Sequence, residues 1–146
     1  MIDRFYTREA GHSPLSNFSA HPVTLGGLEW PTTEHYYQAM KTLEPDERER
    51  IRQAEKPREA KQLGREVFLR PDWEAVKIPV MRQALRAKFA VETAPGSFLL
   101  RTGDHMLVEG NDWGDTFWGA DGGKGQNWLG HLLMARRAEL RHESGL

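Results

Sequence analysis

Three residues within one short segment have the types and the spacing for bond-breaking chemistry. Glu34, Gln38 and Lys41 supply a carboxylate, an amide and an amine. At about 100° per residue they fall on one side of a helix, together with Tyr37. A carboxylate and an amine on one face can stabilise developing positive charge or transfer protons. The alternative is an ordinary solvated helix face on which the same groups form surface pairs.

The helix that must position these groups is predicted over residues 32–43. Pro31 suits the first helical turn, and Thr32 or Thr33 can cap it. Glu34 then lies close to the helix N-terminus, where the helix dipole stabilises a charged carboxylate. We therefore expect an amphipathic helix with one polar, reactive face and one core face. The core face carries Tyr36, Ala39, Met40 and Leu43.

A glycine-rich loop over residues 110–126 leads into the last helix, which Asn127 is expected to cap. Backbone amides, the helix dipole and Lys124 together indicate an anion site, with phosphate as its natural occupant. Asp115 and Trp118 add a proton acceptor and a stacking plane within the same loop. The loop lacks the order of residues of a Walker A motif, and a tight surface turn explains its glycines equally well.

Two further helices carry a cation on their apolar side. Lys88 projects from the predicted helix 79–90, and Arg136 lies within the leucine stripe of the predicted helix 127–140. A cation on a buried face must snorkel to water, pair with a carboxylate or meet an anionic ligand. Snorkelling explains either residue alone. Both together, beside a carboxylate and a glycine loop, indicate a shared polar pocket.

The remaining elements are short and follow one another without a linker or a repeat. Strands are predicted over 3–6, 23–25, 28–30 and 106–109, the middle two as a hairpin. Further helices are predicted over 45–54 and 57–63. Gly64 is expected to close the second of these, and Asp72 to cap a short segment around Trp73. One domain over residues 1–146 follows from this order and from the length.

Composition narrows the class of ligand. The net charge is -1 and the pI about 6.6, whereas sequence-blind binding of nucleic acid needs a broad cationic surface. No cysteine is present, which excludes thiolate nucleophiles and fits a reducing compartment. With no long apolar run and no leader pattern, we expect a cytoplasmic protein without a membrane span. Five tryptophans favour a flat heterocyclic small molecule as ligand.

Other candidate residues carry weaker signals. No pair of histidines has the spacing of a metal motif, and we expect neither a metal site nor a cofactor. His35 is interpreted as structural or as a support for its neighbour Glu34. Asn17, in a loop after Pro14, either orients a ligand or forms a turn.

Motifs along nearly the whole chain, taken in order, closely resemble the NADAR family, the YbiA-like N-glycosidases. The motifs are Phe5-Tyr6, Pro14–Phe18, Trp30–Lys41, Ala60–Arg65, Met81, Ala87–Phe89, Trp118-Gly119, Gly125–Gly130 and Leu133-Met134. One position departs from the family pattern of Trp-Gly-x-Gly, because Asp121 stands at the second glycine. This departure concerns the path of the loop and its phosphate contacts rather than the reaction.

The resemblance implies an α+β, mostly helical single domain with a small β-sheet that hydrolyses N-glycosidic bonds. It implies two substrate classes: ribosylamino-pyrimidine phosphates of riboflavin synthesis, and ADP-ribose linked to guanine bases. Glu34 and Asp115 are then the expected catalytic carboxylates. Lys41 either assists direct hydrolysis or attacks the anomeric carbon of a ring-opened sugar to form a Schiff base.

The substrate contacts expected with this chemistry come from both halves of the sequence. They are Asn17, Trp30, Gln38, Lys88, Trp118, Gly119, Gly123, Lys124 and Asn127. An alternative class is a non-catalytic module that binds ADP-ribose or a related nucleotide. Two acids and an amine favour the enzyme, because binding alone would not need them. Nucleic acid remains a partner only if the substrate is a modified base in a strand.

Overall fold

A computed structural model describes residues 1–6 and 13–145. Over these residues the chain adopts an α+β fold with five strands and six helices. The strands are β1 (Ile2–Tyr6), β2 (Val23–Leu25), β3 (Leu28–Trp30), β4 (Met106–Asn111) and β5 (Ala120–Asp121). The helices are α1 (Thr33–Ala39), α2 (Pro45–Arg52), α3 (Pro57–Gly64), α4 (Trp73–Lys88), α5 (Ala94–Arg101) and α6 (Trp128–Glu143). Each of these helices is too short or too polar to cross a lipid bilayer.

The chain folds as two compact units. The first consists of Met1–Ser19 with Phe89–Leu146, and the second of Ala20–Lys88. The first unit is therefore built from both ends of the sequence, whereas the second is continuous.

The first unit is built on a parallel sheet in the order β1-β4-β5. In β1 and β4, Ile2 pairs with Met106 and Phe5 with Glu109. α6 packs against β4, and α5 packs against α6. Buried leucines such as Leu107 and Leu133 fill this layer and exclude water from it.

Asn127 begins α6 in a way that the sequence did not predict. It is the N-cap residue, but it adopts a left-handed conformation with φ of 51° and its side chain does not cap the helix. Its Oδ1 accepts a hydrogen bond from the Glu109 amide at 3.0 Å, and its Nδ2 donates to the Leu107 carbonyl at 2.8 Å. The predicted cap is therefore wrong in its chemistry, because the amide instead ties α6 to β4.

The second unit places α1 at the centre of a helical layer. The hairpin of β2 and β3 forms as predicted, with Val23 opposite Trp30. α1 packs against α2, α3 and α4. All seven of its residues are buried. The predicted amphipathic helix is therefore wrong, since the polar face of α1 is covered as completely as the apolar one.

Three other predicted boundaries differ from the structure. α4 is one continuous helix that contains Pro79, whereas the sequence predicted a helix start there. Pro79 and the preceding-turn residue Ala75 are both exposed, so water can satisfy the carbonyl that loses its partner. α5 was not predicted, although Thr93 caps it by accepting from the Gly96 amide at 3.0 Å. Gly64 is the last residue of α3 and does not close the helix from outside.

Candidate active site

Glu34 lies in the first turn of α1 and is only 7% exposed. Thr32 caps the helix by accepting a hydrogen bond from the His35 amide at 3.2 Å. The Oε1 atom of Glu34 accepts a hydrogen bond from Gln38 Nε2 at 2.8 Å. The helix dipole and this amide donor both stabilise the ionised carboxylate. The sequence therefore correctly anticipated the helix start and the neighbourhood of Glu34 and Gln38.

Lys41 follows the end of α1, two helical turns beyond Glu34. Its Nζ lies 5.6 Å from the centroid of the Tyr37 ring, which is itself held edge-to-face against Trp73. Burial lowers the pKa of Lys41, and the negative charge of Glu34 partly opposes that shift. Arg65 also lowers the pKa by repulsion. At a given pH, a larger fraction of the Lys41 amine is therefore neutral than in a fully solvated lysine.

His35 holds the start of α1 and is completely buried. Its Nδ1 lies 2.8 Å from Thr32 Oγ1, and its Nε2 lies 3.0 Å from the Ala54 carbonyl oxygen. Burial lowers the pKa of His35 and favours the neutral ring. These contacts give His35 a structural role, which fixes the backbone on which Glu34 stands.

Gly64 is a site residue that sequence reasoning missed. A Cβ atom built on Gly64 would lie 2.0 Å from Gln38 Oε1, closer than two atoms can approach. The missing side chain therefore leaves the space for the Gln38 amide, which is 3% exposed. The only sequence signal for this role was the glycine at the end of α3. A glycine at that place is explained equally well as a helix terminator.

Trp30 belongs to the core of the second unit. Its indole Nε1 donates to the Leu25 carbonyl at 3.1 Å, and its ring packs edge-to-face on Tyr36 at 5.4 Å. The side chain is 3% exposed. The polar atom of Trp30 is thus already used within the hairpin, so its proposed contact with substrate stays a prediction.

Lys88 is the last residue of α4 and is 2% exposed, so its amine does not reach water by snorkelling. Burial lowers the pKa of Lys88 to about 7. His21 lies close enough for the charge of Lys88 to contribute to lowering the pKa of His21, after the larger effect of burial. Lys88 is thus a desolvated amine, unlike the partly exposed Lys41.

Asp115 braces the glycine-rich loop of the first unit. Its Oδ1 accepts hydrogen bonds from the amides of Phe117 and Trp118, at 3.1 and 2.9 Å. Asn111 encloses the same turn, because its side chain bonds both the amide and the carbonyl of Asp115. Trp118 is half-buried and packs edge-to-face on Phe117 at 4.8 Å. The Asp115 carboxylate thus binds the backbone of Trp118, and its use together with the indole ring at a substrate stays a prediction.

The glycines of this loop serve distinct steric purposes. Gly119 is buried, and a Cβ there would lie 2.6 Å from the Glu109 carbonyl oxygen. Gly123 has a φ of 84° within a tight turn closed by reciprocal backbone bonds between Asp121 and Lys124. Lys124 itself is exposed. Asp121 pairs with Asn111 as part of β5.

Two more predicted residues have defined surroundings. Asn17 is 7% exposed, in the turns that follow Ser13. Arg136 donates to the Phe89 carbonyl at 2.8 Å and forms ion pairs with Glu139 and Glu143 at 2.9 and 2.7 Å. Pairing with carboxylates therefore accounts for Arg136. Within the described ranges, no group of three acidic or histidine side chains could hold a metal ion.

Comparison with known proteins identifies the family. The sequence profile of the NADAR domain matches residues 4–141. N-glycosidase YbiA of Escherichia coli is 44% identical over 145 residues, which cover 97% of this chain and 90% of that protein. The N-glycosidase of Nostoc punctiforme is 40% identical, over 94% of this chain and 92% of its own length. A riboflavin biosynthesis protein of Vibrio vulnificus is 39% identical over 96% of this chain but only 39% of its own length.

The folds agree as well. The NMR structure of E. coli YbiA superposes with a TM-score of 0.85 and covers 98% of this chain and 86% of that one. A profile match over nearly all residues, relatives of this identity and a shared fold together leave one conclusion. The chain belongs to the NADAR family.

Proposed function

We propose that this protein is an N-glycosidase that hydrolyses a ribose–nitrogen bond in a phosphorylated ribosyl compound. The observation that carries the proposal is the buried carboxylate of Glu34, held by the Gln38 amide of α1, with a partly desolvated Lys41 just beyond the end of that helix. The names of the relatives from E. coli and Nostoc support this class of reaction.

Glu34 suits the electrostatics of glycosidic cleavage. When the ribose–nitrogen bond breaks, positive charge develops at the anomeric carbon and the ring oxygen. A carboxylate that is already oriented and shielded from water stabilises that charge without reorganising. In direct hydrolysis the same carboxylate activates the attacking water, and the departing nitrogen leaves with a proton.

Lys41 supports a covalent alternative to direct hydrolysis. The sugar ring opens when its ring oxygen takes a proton, which leaves an imine between the anomeric carbon and the base nitrogen. The neutral Lys41 amine adds to that carbon, and the base departs as an amine. Water then hydrolyses the lysine imine, releasing the free aldehyde sugar and restoring Lys41. The Glu34 charge next to Lys41 stabilises the cationic imine in this route.

We propose two substrate classes for this reaction. One is a ribosylamino-pyrimidine phosphate of riboflavin synthesis, which the name of the Vibrio relative supports. The other is ADP-ribose linked to a guanine base, free or within a nucleic acid strand. The net charge of -1 favours a free small molecule, because nucleic acid binding gains most from a cationic surface.

The test is a turnover assay on a substrate panel. Purified protein is incubated with ribosylamino-pyrimidine phosphates and with guanine-linked ADP-ribose, and released ribose phosphate or ADP-ribose is quantified. Glu34→Gln keeps the size and the hydrogen bonding of the residue and removes its charge. We expect this variant to lose a factor of roughly 10² to 10⁴ in activity with substrate binding largely kept. Near-normal turnover in Glu34→Gln would remove Glu34 from the mechanism.

A further inference from the structure

In the first unit, the face of the sheet opposite α6 contains a cavity that combines Arg4 of β1 with glycines of the loop over residues 110–126. Its volume is about 300 Å³, and it is lined by Arg4, Val108, Gly110, Asn111, Ala120, Gly122 and Gly123. A volume of roughly 300 Å³ is at the lower end for sites of small organic ligands. All seven lining residues belong to β1, β4, β5 and the turn that follows β5.

The strand register explains why a cavity forms on this face. Arg4 pairs with Val108, and Gly110 pairs with Ala120, so these residues point to the same side of the sheet. Leu107 and Glu109 point to the opposite, buried side, where α6 packs. Glycine and alanine at adjacent positions leave the floor of the cavity without bulky side chains.

Arg4 is the charged group of the cavity. Within residues 1–6 and 13–145, no carboxylate or other acceptor bonds its guanidinium. The sheet neighbours nearest in register are apolar, with Ile2 and Met106 each 47% exposed. An arginine over a small-residue floor presents several donors in a fixed plane, which matches the geometry of a phosphate.

The turn after β5 adds backbone donors at the rim. Gly122 and Gly123 have φ values of 58° and 84°, and a Cβ on either would point into open space. In the described part of the chain, the amides of these two glycines take no part in the hydrogen bonds of the turn, which join Asp121 and Lys124. The Asp121 carboxylate accepts from the Gly114 amide at 2.8 Å. Successive glycine amides without side chains form an anion-binding concavity.

We propose that this cavity is a binding site for the phosphate group of a small organic phosphate, with Arg4 as its principal ligand and the Gly122–Gly123 amides as its rim. Binding is measured without turnover, so this inference stands or falls separately from the proposed substrate.

The experiment is an NMR titration of the full chain with inorganic phosphate and with ribose 5-phosphate. The amide signals of Gly110, Gly122 and Gly123 should shift saturably with both probes. Arg4→Gln and the charge reversal Arg4→Glu should weaken binding by a factor of about 10 or more, because each removes a charged hydrogen-bond donor. Signals from the rest of the spectrum confirm that the variants are folded.

Arg101→Gln provides the matched control. It removes the same charge from the same unit, on α5, which packs against α6 on the buried side of the sheet. Its phosphate affinity should equal that of the parent chain. Saturable shifts that survive in both Arg4 variants, equal losses in Arg101→Gln, or no saturable shift at all would each overturn the proposal.

Discussion

Lys41 is the residue at which the two proposed chemical routes diverge. Its amine is desolvated enough to lower its pKa, yet it stays next to the carboxylate that favours the charged form. A lysine nucleophile must be neutral to attack, whereas a lysine that only binds an anion must be charged. The covalent route therefore needs surroundings that favour the neutral amine, whereas a binding role needs surroundings that favour the charged one.

Borohydride added during turnover separates these routes. If Lys41 forms an imine with the sugar, reduction leaves a stable adduct of ribosyl size, which mass spectrometry detects. The adduct should be missing in Lys41→Arg, whose guanidinium does not deprotonate. The rate should also rise with pH through a pKa below the usual lysine value, because loss of the proton creates the nucleophile. An unmodified protein, with Lys41→Arg still active, would leave Lys41 an electrostatic role.

Asp115 is a second residue whose charge can be tested in isolation. Its Oδ1 accepts two backbone hydrogen bonds, and an asparagine oxygen can accept the same two. Asp115→Asn should therefore keep the loop and remove only the negative charge. We expect turnover to fall by about 10² or more if the carboxylate exchanges protons with the substrate. Unchanged turnover, with the intrinsic tryptophan fluorescence also unchanged, would leave Asp115 as a brace of the loop.

The sequence was informative about the residues of α1 because their spacing is local. The cap at Thr32 and the Glu34–Gln38 hydrogen bond both arise within one turn of helix. Gly64 was not identified, because its importance depends on a side chain from another helix. A steric requirement between two elements leaves no periodic signal in either one.

At the scale of elements, α1 is unusual because it is polar in sequence and buried all round. An apolar stripe correctly predicts where a helix faces the core, but it does not say what covers the opposite side. Here α2, α3 and α4 surround α1. Burying Glu34, His35 and Gln38 is favourable only where partners satisfy them, and the structure provides those partners for Glu34 and His35.

The close contact of α3 with α1 gives an element-level prediction. Gly64→Ala should improve the helix propensity of α3 but push the Gln38 amide away from its place, because the new Cβ would overlap Oε1. We expect turnover to fall by about tenfold or more through misplacement of Glu34, with the protein still folded. Turnover and circular dichroism measured together distinguish this effect from unfolding.

A double variant identifies the route of that effect. Gln38→Ala removes the side chain that Gly64→Ala would strike. If the glycine acts through Gln38, the variant carrying both changes should be no less active than Gln38→Ala alone. Additive losses would show that Gly64 affects the site by another path.

The boundaries that the sequence predicted wrongly have a common cause. Pro79 is tolerated inside α4 because its side of the helix is exposed, and α5 forms despite Gly96 in its first turn because Leu99 is fully buried. Both outcomes depend on tertiary burial, which outweighs local propensity. The hairpin and β1 were predicted correctly, because turn glycines and strand-forming residues specify them locally.

At the scale of the whole molecule, Lys88 links stability to pH. The folded protein releases its proton near pH 7, whereas an unfolded lysine keeps it until about pH 10.4. Between these values the unfolded state binds the extra proton, so raising the pH favours the folded state. Below pH 7 both states are protonated, and this lysine contributes no slope.

Lys88→Met tests this linkage. Relative to the variant, the parent chain should gain unfolding free energy between pH 7 and 10, with a slope approaching about 1.4 kcal/mol per pH unit. Lys77→Met, on the same helix, is the matched control, since Lys77 pairs with Glu74 at 2.7 Å. Chemical denaturation across this pH range gives the measurement, and equal slopes in all three proteins would contradict the predicted linkage.

We also expect weaker catalysis in Lys88→Met. Full activity together with a gain in stability would exclude Lys88 from substrate binding.

The pairing of β1 with β4 has a consequence for how the chain is made. Ile2 finds its partner Met106 only after the ribosome has synthesised the whole second unit, from Ala20 to Lys88. That unit is continuous, so it can fold during translation before β4, the partner of β1, has been synthesised. Until β4 emerges, both edges of β1 lack the β4 partner, and an unpaired strand can recruit other chains. We therefore expect the yield of native protein to depend on the time between the synthesis of β1 and that of β4, and on chaperone binding during that time. The rate at which the helices fold should matter less.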